Sequence, residues 1–181
     1  MPRPPLIDTF MPEYTFGEYH HILVHSPVET VFACARDADM SGSRLIRTLF
    51  ALRGLPTRNM TLRGFVADVG FTNIAEDQPT EILIGFWVKR TVRPITDPEA
   101  FRANAISARI RVVWNFRCEK AGEGQTRLST ETRVLCRNTL TTMIFGLYWL
   151  AIRPFSGAIR KELLRIIKQD AESIARREQE A

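Results

Sequence analysis

Through the last third of the chain, apolar residues recur at offsets of three and four: Leu140, Met143, Ile144, Leu147, Tyr148, Ala151, Ile152, Phe155, Ile159, Leu163, Ile166 and Ile167. That spacing keeps side chains on one side of an α-helix. It predicts a long helix from about Thr139 to about Arg177, its stripe covering whatever the preceding chain builds. Pro154 lacks an amide hydrogen and crowds the turn before it, so two segments with a kink are expected. Between Met143 and Ile152 there is no charge. Phe145 and Trp149 lie off the stripe and need cover from another element, a second copy of the chain or a bound molecule. This window is ten residues long, whereas a spanning helix needs about twenty, so no stable membrane insertion is expected.

A two-residue period marks the sheet. Ala108, Ile110, Val112, Trp114, Phe116 and Cys118 alternate with Arg109, Arg111, Val113, Asn115 and Arg117, the signature of a strand with one buried face. Ala121-Gly122-Glu123-Gly124 turns the chain. Thr126 to Arg137 returns with Leu128, Thr130, Thr132, Val134 and Cys136 towards the apolar side, and Arg127, Glu131, Arg133 and Arg137 towards the other. Phe71 to Glu76 and Glu81 to Lys89, the latter carrying Phe86, form a second hairpin about Asp77-Gln78-Pro79. A first strand, Phe16 to Val24, sets Glu18, His20, Ile22 and Val24 on one face and Tyr19, His21 and Leu23 on the other. Helices are predicted from Pro27 to about Asp37 with Ser26 as cap, from Ser43 to Leu52, and from Thr61 to Gly70. Asp97-Pro98-Glu99 opens a small one through Phe101.

A chain of 181 residues, 45% hydrophobic and 25% charged, is long enough to bury one sizeable core. Residues 1–13, with Pro2, Pro4, Pro5 and Pro12, read as an extended arm before a single domain over 14–178. No apolar run of the signal-peptide kind occurs there. The net charge of +5 is a modest excess; Arg160, Lys161 and Arg165 read as the solvated face of the last helix, and no nucleic-acid partner is indicated. Cys34, Cys118 and Cys136 are odd in number and lack metal-ligand spacing. Reduced thiols, a cytoplasmic location and no metal or cofactor are the expectation.

A strand, two short helices, antiparallel strands ending in a tall hairpin, and a long terminal helix together resemble the helix-grip superfamily, also called START-like or SRPBCC. It includes polyketide cyclases, lipid-transfer domains and the birch pollen allergen group. The resemblance covers roughly Tyr14 to Arg177. Leu128-Ser129-Thr130-Glu131-Thr132-Arg133 and Tyr148 to Gly157 are similar to a bacterial branch that brings no function with it. The implied fold is α+β: a curved antiparallel sheet of about six strands around a long kinked C-terminal helix, with two or three short helices after the first strand.

The resemblance implies a cavity between sheet and helix, and the strand parity points to the same place. Phe86, Ile110, Val112, Trp114 and Phe116 would line it opposite Met143, Leu147 and Tyr148, with Thr130, Thr132 and the Tyr148 hydroxyl as its polar groups. The leading reading is a protein that holds a small hydrophobic or amphipathic ligand. A cyclase, aromatase or hydratase acting on a similar ligand is one alternative. A helix-mediated interaction module is another, and Phe145 and Trp149 are expected either to extend the ligand site or to form a homodimer surface. His20 and His21 are adjacent and point to opposite faces of the strand, and His21 and His25 are about 13 Å apart if the strand continues, so they cannot chelate one metal alone. Glu131 and Arg133 with Arg109 and Arg111 read as a cross-strand charge ladder on the face opposite Trp114. Gly122 and Gly124 belong to a turn, and no nucleophile or phosphate-loop motif is present.

Overall fold

The computed structural model describes residues 4–105 and 107–180. Among the described residues six helices and six strands follow one another as α1 (Leu6–Phe10), β1 (Phe16–Val24), α2 (Val28–Arg36), α3 (Arg44–Leu52), α4 (Leu62–Asp68), β2 (Thr72–Asp77), β3 (Glu81–Val88), β4 (Val92–Arg93), α5 (Pro98–Arg102), β5 (Ile110–Gly122), β6 (Gln125–Cys136) and α6 (Thr139–Glu180). The strands form one antiparallel sheet in the order β1-β6-β5-β3-β2, with β4 paired to β3. With α6 laid against one face, this is an α+β helix-grip architecture.

Local chemistry explains most helix starts. Ser43 accepts from the Ile46 amide and Thr61 from the Gly64 amide, capping α3 and α4; caps of this kind contribute about 1 kcal/mol each. Asp97 does the same for α5. The expected Ser26 cap is corrected: α2 begins at Val28, one residue later, and its Pro27 cap offers no side-chain acceptor. The Ser26 hydroxyl is instead enclosed without a partner among the described residues.

Register turns the alternating strands into ordered rows. Glu18 stands opposite Thr132, Thr132 opposite Trp114 and Trp114 opposite Ile84. One row further on come His20, Thr130, Phe116 and Ile82. All of these project from the inner face, towards α6. At one end of that face Phe116, Cys118 and Leu128 pack with α2, α3 and the Leu163, Leu164 and Ile167 side of α6. At the other end Val112, Val134 and Cys136 meet Trp149, with Phe16, Phe86, Ile110, Phe145 and Ile152 around them.

The outer face departs from expectation. Residues 1–13 do not all extend: α1 folds over the sheet, and Ile7, Phe10 and Met11 pack with Leu83, Trp87, Phe101 and Val113. Of the charges expected to form a cross-strand ladder, Arg111, Glu131 and Arg133 are drawn in beneath it, with Glu81 beside them, whereas Arg109 is exposed. Glu81 accepts from the Leu6 and Ile7 amides and from Asn115. Arg133 pairs with Asp8 at 2.6 Å and Glu131 at 2.7 Å, and donates to the Met11 carbonyl. Arg111 lies 4.3 Å from the Phe101 ring centre. Bonded donors and a covered planar face offset the cost of burying a guanidinium, although the Arg111 Nε is enclosed without a partner among the described residues.

The long helix is also corrected. Asn138 caps it through the Thr141 amide, and helical structure continues over 42 residues with Pro154 inside rather than dividing into two segments.

Candidate functional site

Between the inner face and the first half of α6 lies a cavity of about 510 Å³, within the range of small-molecule sites. Six of the expected residues stand on its wall: Phe86, Ile110, Val112, Trp114, Thr132 and Tyr148. Helices α3 and α4 with the segments after them add Phe50, Arg53, Leu55, Phe65, Val69 and Phe71. These were missed because two amphipathic helices give no sign from sequence of which sheet face they will roof. Val92 and Tyr148 are both wall residues and both exposed, which puts the mouth between the β3–β4 turn and the first half of α6.

Four of the ten expected residues lie elsewhere. Phe116 and Thr130 have the predicted strand parity but sit under the packed end of the groove, enclosed by core side chains. Met143 and Leu147 are on the outside of α6, 66% and 75% exposed. The helix wall is built instead from Phe145, Trp149, Ile152, Ser156, Ile159 and Arg160. Trp149 is only 8% exposed, and Phe145 packs 5.5 Å from the Phe16 ring. The expectation that these two aromatics form an outward self-association surface is therefore corrected: they face inward.

The error has a geometric cause. Each step of four residues turns a helix about 40° past a full turn, so a stripe followed by steps of four from Leu147 to Ile167 winds to the opposite side. Steps of eighteen residues return to the same face, five whole turns later. Phe145 is eighteen residues before Leu163 and Trp149 eighteen before Ile167, and Leu163 and Ile167 are buried.

Arg160, read from sequence as solvated, is the most distinctive polar group on the wall. Its guanidinium carbon sits 4.7 Å from the Trp114 ring centre, and its Nη1 donates to Thr130 Oγ1 at 3.2 Å. Thr130 is held in turn by the Trp114 indole N–H and by its own bond to the Asn115 carbonyl. Among the described residues Nε is enclosed without a partner. Nη2 makes no hydrogen bond among them either. Burial lowers the Arg160 pKa to about 10, with the Glu18 carboxylate opposing that shift. The group is still a cation at neutral pH.

Glu18 stays off the wall. Its Oε1 meets His20 Nε2 at 3.1 Å, and its Oε2 is enclosed without a partner among the described residues. A methyl group on Gly157 would come within 2.7 Å of Oε1, so the absence of a side chain there lets α6 settle over this pair. His21 and Glu131 project from the outer face, away from the cavity. No group of three or more metal-binding side chains occurs among the described residues, and the three cysteines are free thiols.

No family model matches the chain, and no curated protein matches it. Similar solved structures include a protein of Nitrosospira multiformis, at 14% identity over 88% of this chain and 99% of that one, with a TM-score of 0.42. A protein of Thermus thermophilus is 10% identical over 87% and 98%, with a TM-score of 0.39. The ZhuI aromatase/cyclase from Streptomyces sp. R1128 is 11% identical over 87% and 93%, with a TM-score of 0.34. Element order and strand register give this chain a helix-grip architecture.

Proposed function

We propose that the protein binds a small amphipathic molecule whose apolar body fills the cavity and whose head is an anion or a strong oxygen acceptor. The observation that supports this most is the makeup of the wall: aromatic and aliphatic side chains, two arginines, Arg53 and Arg160, and, among the described residues, no carboxylate. An apolar cavity favours a ligand body by roughly 25 cal/mol per Å² of apolar surface removed from water. A partly dehydrated guanidinium with a free edge favours a carboxylate-like group. The cyclase-type alternative has less to work with, because of the titratable side chains His21, Glu131 and Tyr148 only Tyr148 reaches the wall.

Trp114 and Trp149 both line the cavity, so intrinsic fluorescence reports filling. A medium-chain carboxylate is expected to shift the emission and raise the melting temperature, and the alcohol of equal chain length to bind more weakly. Arg160→Met should weaken the carboxylate by about tenfold or more, the usual worth of a charge-assisted hydrogen bond, and barely affect the alcohol. A cation whose pKa is depressed to about 10 holds its charge below that value, so the preference for carboxylate should fade as pH rises through it. A carboxylate and an alcohol that bind equally well, or neither binding, would remove this reading.

A further inference from the structure

The outer side of the first half of α6 is apolar and uncovered. Leu140, Met143, Ile144, Leu147 and Leu150 are each between 63% and 75% exposed, and Leu52 at the end of α3 is 71% exposed. A single exposed leucine is ordinary; a contiguous row of five beside a cavity mouth marks a contact surface. Helix α6 is also long and apolar enough to cross a membrane by length and composition, with only 11% of its most apolar window buried. That revises the expectation drawn from its ten uncharged residues alone. Its other side nevertheless packs on the sheet through Trp149 and Phe145, which suits a helix lying on a bilayer better than one spanning it.

Charge distribution identifies the partner. Residues 40–67 contain five basic and no acidic side chains, 82–96 three and none, and 132–161 five and none, in a chain with 25 basic and 20 acidic. These three stretches include α3, the β3–β4 turn and the first half of α6. Arg133 and Arg160 are committed elsewhere, but Lys89, Arg90, Arg93 and Arg153 are exposed around the apolar row and the mouth. Asp68, next in sequence to the wall residue Val69, is an exposed acidic residue. Two copies meeting through this face would oppose like charges. An anionic lipid surface would complement them, each nearby basic residue being worth about 1 kcal/mol at such a surface.

We propose that the outer side of α6 from Leu140 to Leu150, with Leu52 and the basic β3–β4 turn, docks the protein on anionic lipid bilayers so that the cavity mouth opens at the membrane surface. This goes beyond the ligand reading and does not depend on it, since none of the docking leucines lines the cavity.

The 181-residue chain is mixed with phosphatidylcholine vesicles, with or without about a quarter phosphatidylglycerol, and floated through a density gradient. Flotation is expected with the anionic vesicles and should decline as salt screens the charges. Leu147→Ser should weaken partition about tenfold, the scale of one exposed leucine entering the interface. Arg90→Glu should weaken it about fivefold or more with anionic vesicles and have no effect with neutral ones. Both positions are exposed, so melting temperature and carboxylate uptake should stay at the unmutated level, which separates loss of docking from loss of the ligand site. Absence of flotation with anionic vesicles, or flotation unchanged by Leu147→Ser, would overturn the proposal. So would a dimer seen by sedimentation that Leu147→Ser dissolves.

Discussion

The two ends of the groove between sheet and α6 are made of similar residues and put to different uses. Beyond Pro154 the helix is conventionally amphipathic: Leu163, Leu164, Ile167 and Ala171 are sealed against α2, α3 and the sheet, with charged side chains outward. Before Pro154 both sides are apolar. One side packs on the sheet through Trp149 and Phe145 and lines a cavity of about 510 Å³, and the other is left in solvent. The closed end has α2 and α3 as roof, whereas the open end has only the ends of α3 and α4 and the β3–β4 turn. Apolar composition thus means core where a second layer exists, and cavity wall or contact surface where none does.

The sharpest way to break that contrast is to shorten one leucine at each end. Leu163→Ala removes a side chain that is 2% exposed and should cost about 2–5 kcal/mol, the range for a cavity left in a packed core. Leu147→Ala, in the same helix and 75% exposed, should change stability by no more than about 0.5 kcal/mol. Equilibrium denaturation of the two variants checks this. Similar losses would mean that the first half of α6 is packed after all.

A smaller effect tests the closed end by titration. Burial raises the Cys118 thiol pKa to about 12. The unfolded chain would release that proton near 9 while the folded one keeps it, so the unfolded state is favoured as pH rises beyond 9. Stability should be flat below about pH 8 and then fall by roughly 1 kcal/mol per pH unit, the weight of one differential proton. Above about 10 the depressed Arg160 pKa acts in the opposite sense, because there the unfolded chain holds the extra proton. Cys118→Ala should flatten the fall between pH 9 and 10, leaving the smaller contributions of Cys34 and Cys136, also raised by burial. An unchanged slope in that variant would show the closed end to be wetter than its packing implies.

The same contrast explains what the sequence made legible. Strand parity placed Val112 and Trp114 on the wall, because a period of two allows only one choice once Arg109 and Arg111 oppose them. The helices α3 and α4 were legible from their caps and apolar spacing. The face of α6 was not. Where Met143 to Ile152 carries no charged residue, periodicity cannot say which side is inside, and following steps of four carried the stripe round the helix. Arg160 was illegible for a related reason: an arginine inside a cavity reads as a surface residue until Thr130 and Trp114 are known to stand opposite it. The arm could not be foreseen either, since α1 is only five residues long and depends on Glu81, 74 and 75 positions away.

The smallest effect discriminates most finely, because it compares two glycines of α6 that differ only in what lies beneath them. Replacing a helical glycine by alanine is worth up to about 1 kcal/mol in propensity. At Gly146, in the open end, the added methyl would rest 3.5 Å from Phe16, an ordinary apolar contact, so Gly146→Ala should raise the melting temperature by about 2–4 °C. At Gly157 the same methyl would meet Glu18 Oε1 at 2.7 Å. That oxygen is held by His20, and its neighbour Oε2 has no partner among the described residues to which the carboxylate could turn. The propensity gain should therefore be lost, leaving Gly157→Ala no more stable than the starting protein. If the contact with Glu18 is the cause, Glu18→Ala combined with Gly157→Ala should recover the gain as a non-additive coupling between the two sites. Equal gains at both glycines, with no coupling to Glu18, would mean that α6 stands further from the sheet at Gly157 than the groove requires.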